Sequence, residues 1–219
     1  MEKKREHRAM CVFDKLRQEN NYFKDFSDSN EIERIAGEVR HQFELMDYPT
    51  PIAHILDKVG FKIYKENLSA NISGVIGVSD SLIEARGCKR IMLINAYENR
   101  GHQRFTMAHE LGHYIFDYDG KSDFADEYSL DKERLTSETE IRVNRFAAAL
   151  LMPKDIFTDK YRFFSLLGYK KEMIVNELSD IFDVSETAIL RRIGELGLED
   201  GIKWKNDLGF TKKTFGFAE

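Results

Sequence analysis

At 219 residues the chain has room for one domain with an appendage and for a substantial buried core. Hydrophobic residues make up 42% and charged residues 32%, and a net charge of −5 withholds the basic field that would make nucleic acid the default partner. Cys11 and Cys88 stand outside any CxxC spacing, no apolar run approaches the ~20 residues of a membrane span, and the charged start MEKKREHRAM leads into no signal sequence, so a soluble protein of the reducing cytoplasm is expected.

Residues 1 to 28 are charged and aromatic without clear period, apart from a short helix expected around Met10 to Leu16. From Glu31, the residues Ile32, Ile35, Val39 and Phe43 recur at helical spacing and predict an amphipathic helix ending before Asp47-Tyr48-Pro49. Pro51 suits the start of a second helix, Ile52 to Val59, with Gly60 as its C-terminal cap. The period then changes. Phe61 to Lys65 alternates, Ile72 to Val78 is short and β-branched, and Arg90 to Asn95 is a third apolar run, which predicts three strands of a small sheet. Turn-rich segments such as Ser79-Asp80-Ser81 and Arg86-Gly87 separate them. A helix from about Asn99 to Phe116, a polar loop from Asp117 to Arg134 and a helix from Ser137 to Met152, stopped near Pro153, come next. Helical patterns then cover about 170–182 and 186–196, and the tail from Gly201 has no clear period. This order predicts an α+β fold: an extension over 1–28, a core over 29–168, a C-terminal helical hairpin over 169–200 and a tail over 201–219.

His109-Glu110-Leu111-Gly112-His113 is an HExxH sequence. Two histidines four apart on a helix lie about 40° apart around the axis and one turn along it, so both imidazoles can reach one ion. Glu110, beside the first, is placed to take a proton from water held by a zinc ion, which lowers that water's pKa toward ~7. It can later hand the proton to the leaving amine of a cleaved peptide. The plain alternative is an amphipathic helix with exposed histidines, because five residues match by chance in many helices. Against it stands the stripe Phe105, His109, His113 and Phe116, which puts the histidines on the face that aromatic residues would bury. Buried imidazoles need partners, and a shared metal supplies them. The run Arg90 to Asn95 just upstream can form a wall along a substrate cleft.

A catalytic zinc takes a third protein ligand and keeps one position open. The downstream carboxylates are Asp126, Glu127, Asp131, Glu133, Glu138 and Glu140. Glu140 shares a helix face with Val143, Asn144, Ala147 and Leu151, a mostly apolar set that should point inward, whereas Glu138 lies with Ile141, Arg142, Arg145 and Ala149 on a wetter side. A carboxylate on a buried face is costly unless a cation meets it, which favours Glu140 as the ligand. Asn144, one turn on, can hydrogen-bond a ligand and fix its orientation.

The run Phe105-Thr106-Met107-Ala108-His109-Glu110-Leu111-Gly112-His113-Tyr114, followed by Glu140-Ile141-Arg142-Val143-Asn144-Arg145-Phe146-Ala147-Ala148-Ala149-Leu150-Leu151-Met152-Pro153, resembles the ImmA/IrrE metallopeptidases, in which an HELGH helix precedes one of the form ExxxNxFAxxLLMP. The likeness extends loosely over about residues 30 to 198 and includes an SGxI-like turn at Ser73-Gly74-Val75-Ile76. Val143 departs from it, since the family more often has alanine there. The resemblance implies a zincin-like core holding one zinc ion, with the third-ligand glutamate on the second helix. It also implies a protein substrate of the helix-turn-helix repressor class, cleaved to release genes of a mobile element or a stress response.

Other features carry less. Residues 177 to 198 read like a helix-turn-helix with its turn near Asp183-Val184-Ser185 and Ser185 as cap. DNA binding would use Arg191 and Arg192, but Asp180, Asp183, Glu186 and Glu195 surround them, so a hairpin packed on the core is the expectation. His102 is a candidate for substrate contact set against a plain surface histidine, and Tyr114 one set against core packing, since it points off the metal face by ~100°. The acidic stretch 117 to 134 is expected to be a solvated connection, with a lid as the alternative. The rival to an enzyme is a regulatory module with a structural metal that grips a repressor or toxin-like partner without hydrolysis.

Overall fold

The computed structural model describes residues 29–46, 48–120, 123–129 and 137–198, with backbone alone for 127–129. The expected helix around Met10 to Leu16, the ligand candidates Asp131 and Glu133 and the tail from Gly201 lie outside the described residues. Helix α1 (Ser29–Gln42) turns Ile32, Ile35 and Val39 into the core, as the spacing predicts. Helix α2 (Ile52–Lys58) follows Pro51, and Gly60 takes up the left-handed φ of +86° just past its end. The three expected strands form as β1 (Lys62–Glu66), β2 (Ile72–Val78) and β3 (Arg90–Asn95), with a short helix α3 (Ser81–Arg86) where only turns were expected. Helix α4 (Arg100–Phe116) carries the HExxH sequence.

The stretch after α4 departs from expectation. Within the polar connection, Phe124–Ser129 forms a fourth strand, β4. The sheet order is β1-β3-β2-β4, with β1 parallel to β3 and the other two pairings antiparallel. Two corrections follow. The connection is no simple solvated loop, and β3 is an interior strand, so the sheet edge that comes nearest the histidines is β4, whose Asp126 lies 3.3 Å from His113, and not Arg90 to Asn95.

Helix α5 (Glu138–Leu151) then crosses α4, and its Phe146, Ala147, Leu150 and Leu151 are fully buried. Pro153 ends it and begins another: α6 (Lys154–Leu166), which buries Phe157, Tyr161 and Phe164 at spacings of four and three, was not expected from the sequence. Helices α7 (Lys171–Phe182) and α8 (Glu186–Glu195) form the hairpin. Its turn has Asp183 at φ +53° and Ser185 accepting the Ala188 N–H as cap. That turn is pressed onto the start of α4. A Cβ on Gly101 would come within 2.9 Å of the Val184 and Ser185 backbone, so this approach requires glycine. Arg100 meets the Asp183 carboxylate at 2.7 Å, and Arg104 donates to the Asp183 carbonyl at 2.9 Å.

Arg192, one of the two arginines that DNA binding would need, is 2% exposed. It donates to the Met152 carbonyl at 3.0 Å and pairs with Glu33 at 2.7 Å, so it ties α8 to α5 and α1 and cannot reach a phosphate. Among the described residues, no helix is long and apolar enough to cross a membrane.

Candidate metal centre

Asn99 caps α4 by accepting the His102 N–H at 2.9 Å, and the helix then runs unbroken through His109, Glu110 and His113, all three buried. Helix α5 delivers Glu140 from its first turn. Ser137 accepts the Glu140 N–H, which is half of a capping box. The Glu140 carboxylate itself turns to the histidines. Its charge still benefits from the helix N-terminus. The two helices can approach because residue 112 has no side chain: a Cβ there would lie 2.8 Å from Val143 and 3.1 Å from Phe146. Val143 packs into the space that Gly112 leaves.

Side-chain atoms converge as follows. His113 Nε2 lies 3.1 Å from His109 Nε2, and Glu140 oxygens lie 3.2 Å from the His109 nitrogen and 3.6 Å from the His113 nitrogen. Ligand atoms about 2.0–2.1 Å from a tetrahedral zinc stand roughly 3.3 Å from one another. The observed spacings bracket that figure. One ligand atom from each of the three residues falls within 4.8 Å of the other two.

The chemistry of the donor set points the same way. His113 Nδ1 donates to Asp117 Oδ2 at 2.7 Å, and His109 Nδ1 donates to Asn144 Oδ1 at 3.0 Å. With both protons on Nδ1, the two Nε2 atoms present lone pairs to each other and to the Glu140 carboxylate. Only a cation between them makes such a meeting favourable, either a proton or a metal ion. In the metal-free site the proton goes to His113. Burial opposes charging it, but bonds to Asp117 and Glu140 and the fields of Asp126 and Glu110 prevail and raise it to about 10. Burial lowers His109 against the pull of Glu140. Burial would raise Glu140, yet its bonds to both histidines hold it well below the usual carboxylate range.

Of the other residues singled out in the sequence, Asn144 does bond a histidine, and Glu138 is exposed on the far side of α5. Glu110 is wholly buried within the same turn as the histidines. Tyr114, a candidate for substrate contact, is buried instead, edge-on to Phe61 at 5.0 Å and stacked on Tyr118 at 5.2 Å, so it builds the core. His102 belongs to a separate polar group with Ser73 at 3.2 Å and Glu98 at 3.3 Å. Sequence reasoning missed Asp117 and Arg142. Asp117 follows His113 by four residues on the same face, a signal that was readable, and Arg142 holds the other Asp117 oxygen while lying 4.8 Å over the Phe116 ring. It also set aside Asp126, which β4 brings within 3.3 Å of His113 Nε2.

Comparison with known proteins places these residues inside a recognised domain. The Peptidase_M78 family model, described as the IrrE N-terminal-like domain, matches residues 56–194. The radiation response metalloprotease IrrE of Deinococcus deserti is 38% identical over 107 residues, covering 48% of this chain and 36% of that protein. Its namesake from Deinococcus radiodurans is 36% identical over 107 residues, covering 48% of this chain and 31% of the other. The chain thus spans about a third of the length of these curated relatives. A solved structure titled Mycobacterium tuberculosis transcriptional regulator aligns with 83% of this chain and 50% of its own at 16% identity and a TM-score of 0.48, a likeness too loose to carry an argument.

Proposed function

Because this chain belongs to the Peptidase_M78 family, the IrrE N-terminal-like domain, we propose that it is a zinc-dependent endopeptidase with a zincin-like core, built on His109, His113 and Glu140 as metal ligands and Glu110 as general base. The observation that carries this reading is the meeting of two imidazole lone pairs and a carboxylate at ligand spacing beside a buried glutamate. Two nitrogens and one oxygen suit zinc. When bound, zinc would polarise the scissile carbonyl and acidify a water molecule. Glu110 would be the base that accepts a proton from the attacking water and returns it to the departing amine. Asn144 and Asp117 fix the ring orientations of His109 and His113 through their Nδ1 protons.

The substrate class we infer is a protein of the helix-turn-helix repressor type, whose cleavage would release genes of a mobile element or a stress response. The similarity to IrrE, named as a radiation response metalloprotease, supports the regulatory half of that reading. Direct DNA reading by α7 and α8 is disfavoured by the burial of Arg192.

The test is incubation of the zinc-loaded protein with a repressor encoded beside it, followed by mass spectrometry of the products. Fragments should appear, vanish with a chelator, and fall by about 10²- to 10⁴-fold in rate for Glu110→Gln at unchanged zinc content. A stable stoichiometric complex without fragments would favour the binding module instead.

A further inference from the structure

Helix α5 supports the two imidazoles by unequal means. Asn144 takes the His109 Nδ1 proton directly, at 3.0 Å. The His113 Nδ1 proton goes to Asp117 Oδ2 at 2.7 Å, and Asp117 is the C-terminal cap of α4 itself. From α5, Arg142 Nη2 donates to the other oxygen of that carboxylate, Oδ1. The guanidinium carbon lies 4.8 Å over the Phe116 ring, which holds the arginine against the end of α4. Two residues earlier on α5, Glu140 faces the opposite nitrogen of the same imidazole, Nε2, at 3.6 Å. One helix thus brackets His113 at both nitrogens, once directly and once through Asp117.

Exposure shows why Asp117 needs the arginine. The side chains of His113 and Glu140 are 4% and 5% exposed, whereas that of Asp117 is 28% exposed. Water competes for a carboxylate that open. Arg142, with 18% of its side chain exposed, occupies one oxygen and leaves the other to the imidazole. An ion pair so near the surface does little for stability. Its effect belongs to the ligand that Asp117 backs.

We propose that Arg142 is a positioning residue for the metal centre, resting on the assignment of His109, His113 and Glu140 as ligands. It fixes the Asp117 carboxylate against His113 Nδ1 and so keeps the Nε2 lone pair aimed at the ion. It also links the helix that carries the third ligand to the one that carries the first two. The sign of the effect separates this role from plain charge. A guanidinium repels a dication, so an arginine acting through its field alone would weaken zinc binding, and its removal would strengthen it. An arginine that positions Asp117 does the reverse.

The readout is zinc affinity in competition with a chelator, at one pH. Asp117→Ala removes the acceptor and should weaken binding by about 10- to 100-fold, and Arg142→Gln should weaken it by about tenfold. Arg142→Lys, which keeps a charge for Asp117 and guards against a loss of fold, should lie nearer the wild type. In the Asp117→Ala background, Arg142→Gln should cost nothing more, because no carboxylate is left to hold. In the zinc-loaded protein the His113 Nδ1 proton should give a downfield, slowly exchanging NMR signal, and Arg142→Gln should speed its exchange with water. Zinc held as well or more tightly by Arg142→Gln would overturn the proposal, and so would an equal further loss in the Asp117→Ala background. A wild-type protein that binds no zinc would overturn the ligand assignment and this proposal with it, which distinguishes the two failures.

Discussion

The buried arginines and the buried histidines of this protein are held in opposite ways. Arg40, Arg104 and Arg192 each reach main-chain carbonyls: Leu45 for the first, Thr50 and Asp183 for the second, Met152 for the third. Donors meet acceptors, the chain ends of several elements are stitched together, and nothing further is needed. At the other place, acceptors meet acceptors. The Nδ1 protons of His109 and His113 are taken up by Asn144 and Asp117, and what converges inside is two lone pairs and a carboxylate. A buried polar group whose needs are met within the chain serves the fold. One whose needs are met only by an added cation serves a ligand.

The sharpest way to break this contrast is to remove one group from the acceptor set. Glu140→Ala should lose zinc almost entirely on dialysis, by elemental analysis, since it takes away one of three ligands and the only ligand charge. The fold should survive, because the two remaining imidazoles can share one proton. Glu138→Ala, exposed on the other side of the same turn, should keep its zinc. Zinc lost from the second and kept by the first would overturn the ligand choice.

The same contrast predicts a different outcome on the arginine side. Arg192→Met should retain zinc in full, because Arg192 ties together α1, α5 and α8 and touches none of the ligands. It leaves the Met152 carbonyl buried without its donor, which costs about 1–3 kcal/mol. For a domain of this size that corresponds to a fall in Tm of roughly 2–4 °C per kcal/mol. An unchanged melting temperature would show that the staple contributes nothing.

Legibility in the sequence divides along a related line. Helices α1, α4 and α5 carry their own period in Ile32, Ile35 and Val39, in the HExxH stripe and in the Phe146 to Leu151 run, so their faces could be read locally. Strands β2 and β3 are rich in Val and Ile and were legible for the same reason. Strand β4 was not. Its residues, Phe124 to Ser129, include two acids and no β-branched side chain, and it is a strand because β2 offers it a partner. Helix α6 has its aromatic period in Phe157, Tyr161 and Phe164, but Pro153, a helix stop in the sequence, is also a helix start. Around the centre, Glu140 and Asn144 were visible from helical geometry. Asp126 needed the sheet, and Arg192 needed Glu33, a partner 159 positions away.

The smallest expected effect distinguishes the two kinds of buried charge by protons. A staple arginine keeps its charge across the working range and releases nothing when zinc is added. His113 differs. With its pKa raised to about 10 in the metal-free protein, it is protonated at neutral pH, and zinc must displace that proton to bind the nitrogen. His109 is shifted the other way and is already neutral, while Glu140 is already a carboxylate. One proton should therefore leave per zinc bound. Apparent zinc affinity, corrected for the competing chelator's own protons, should climb about tenfold per pH unit from pH 7 toward 9 and level off above the His113 pKa. A slope of two protons would mean that both imidazoles are charged before the metal arrives. A flat profile would mean that neither is, and that something other than a proton reconciles the lone pairs of the metal-free centre.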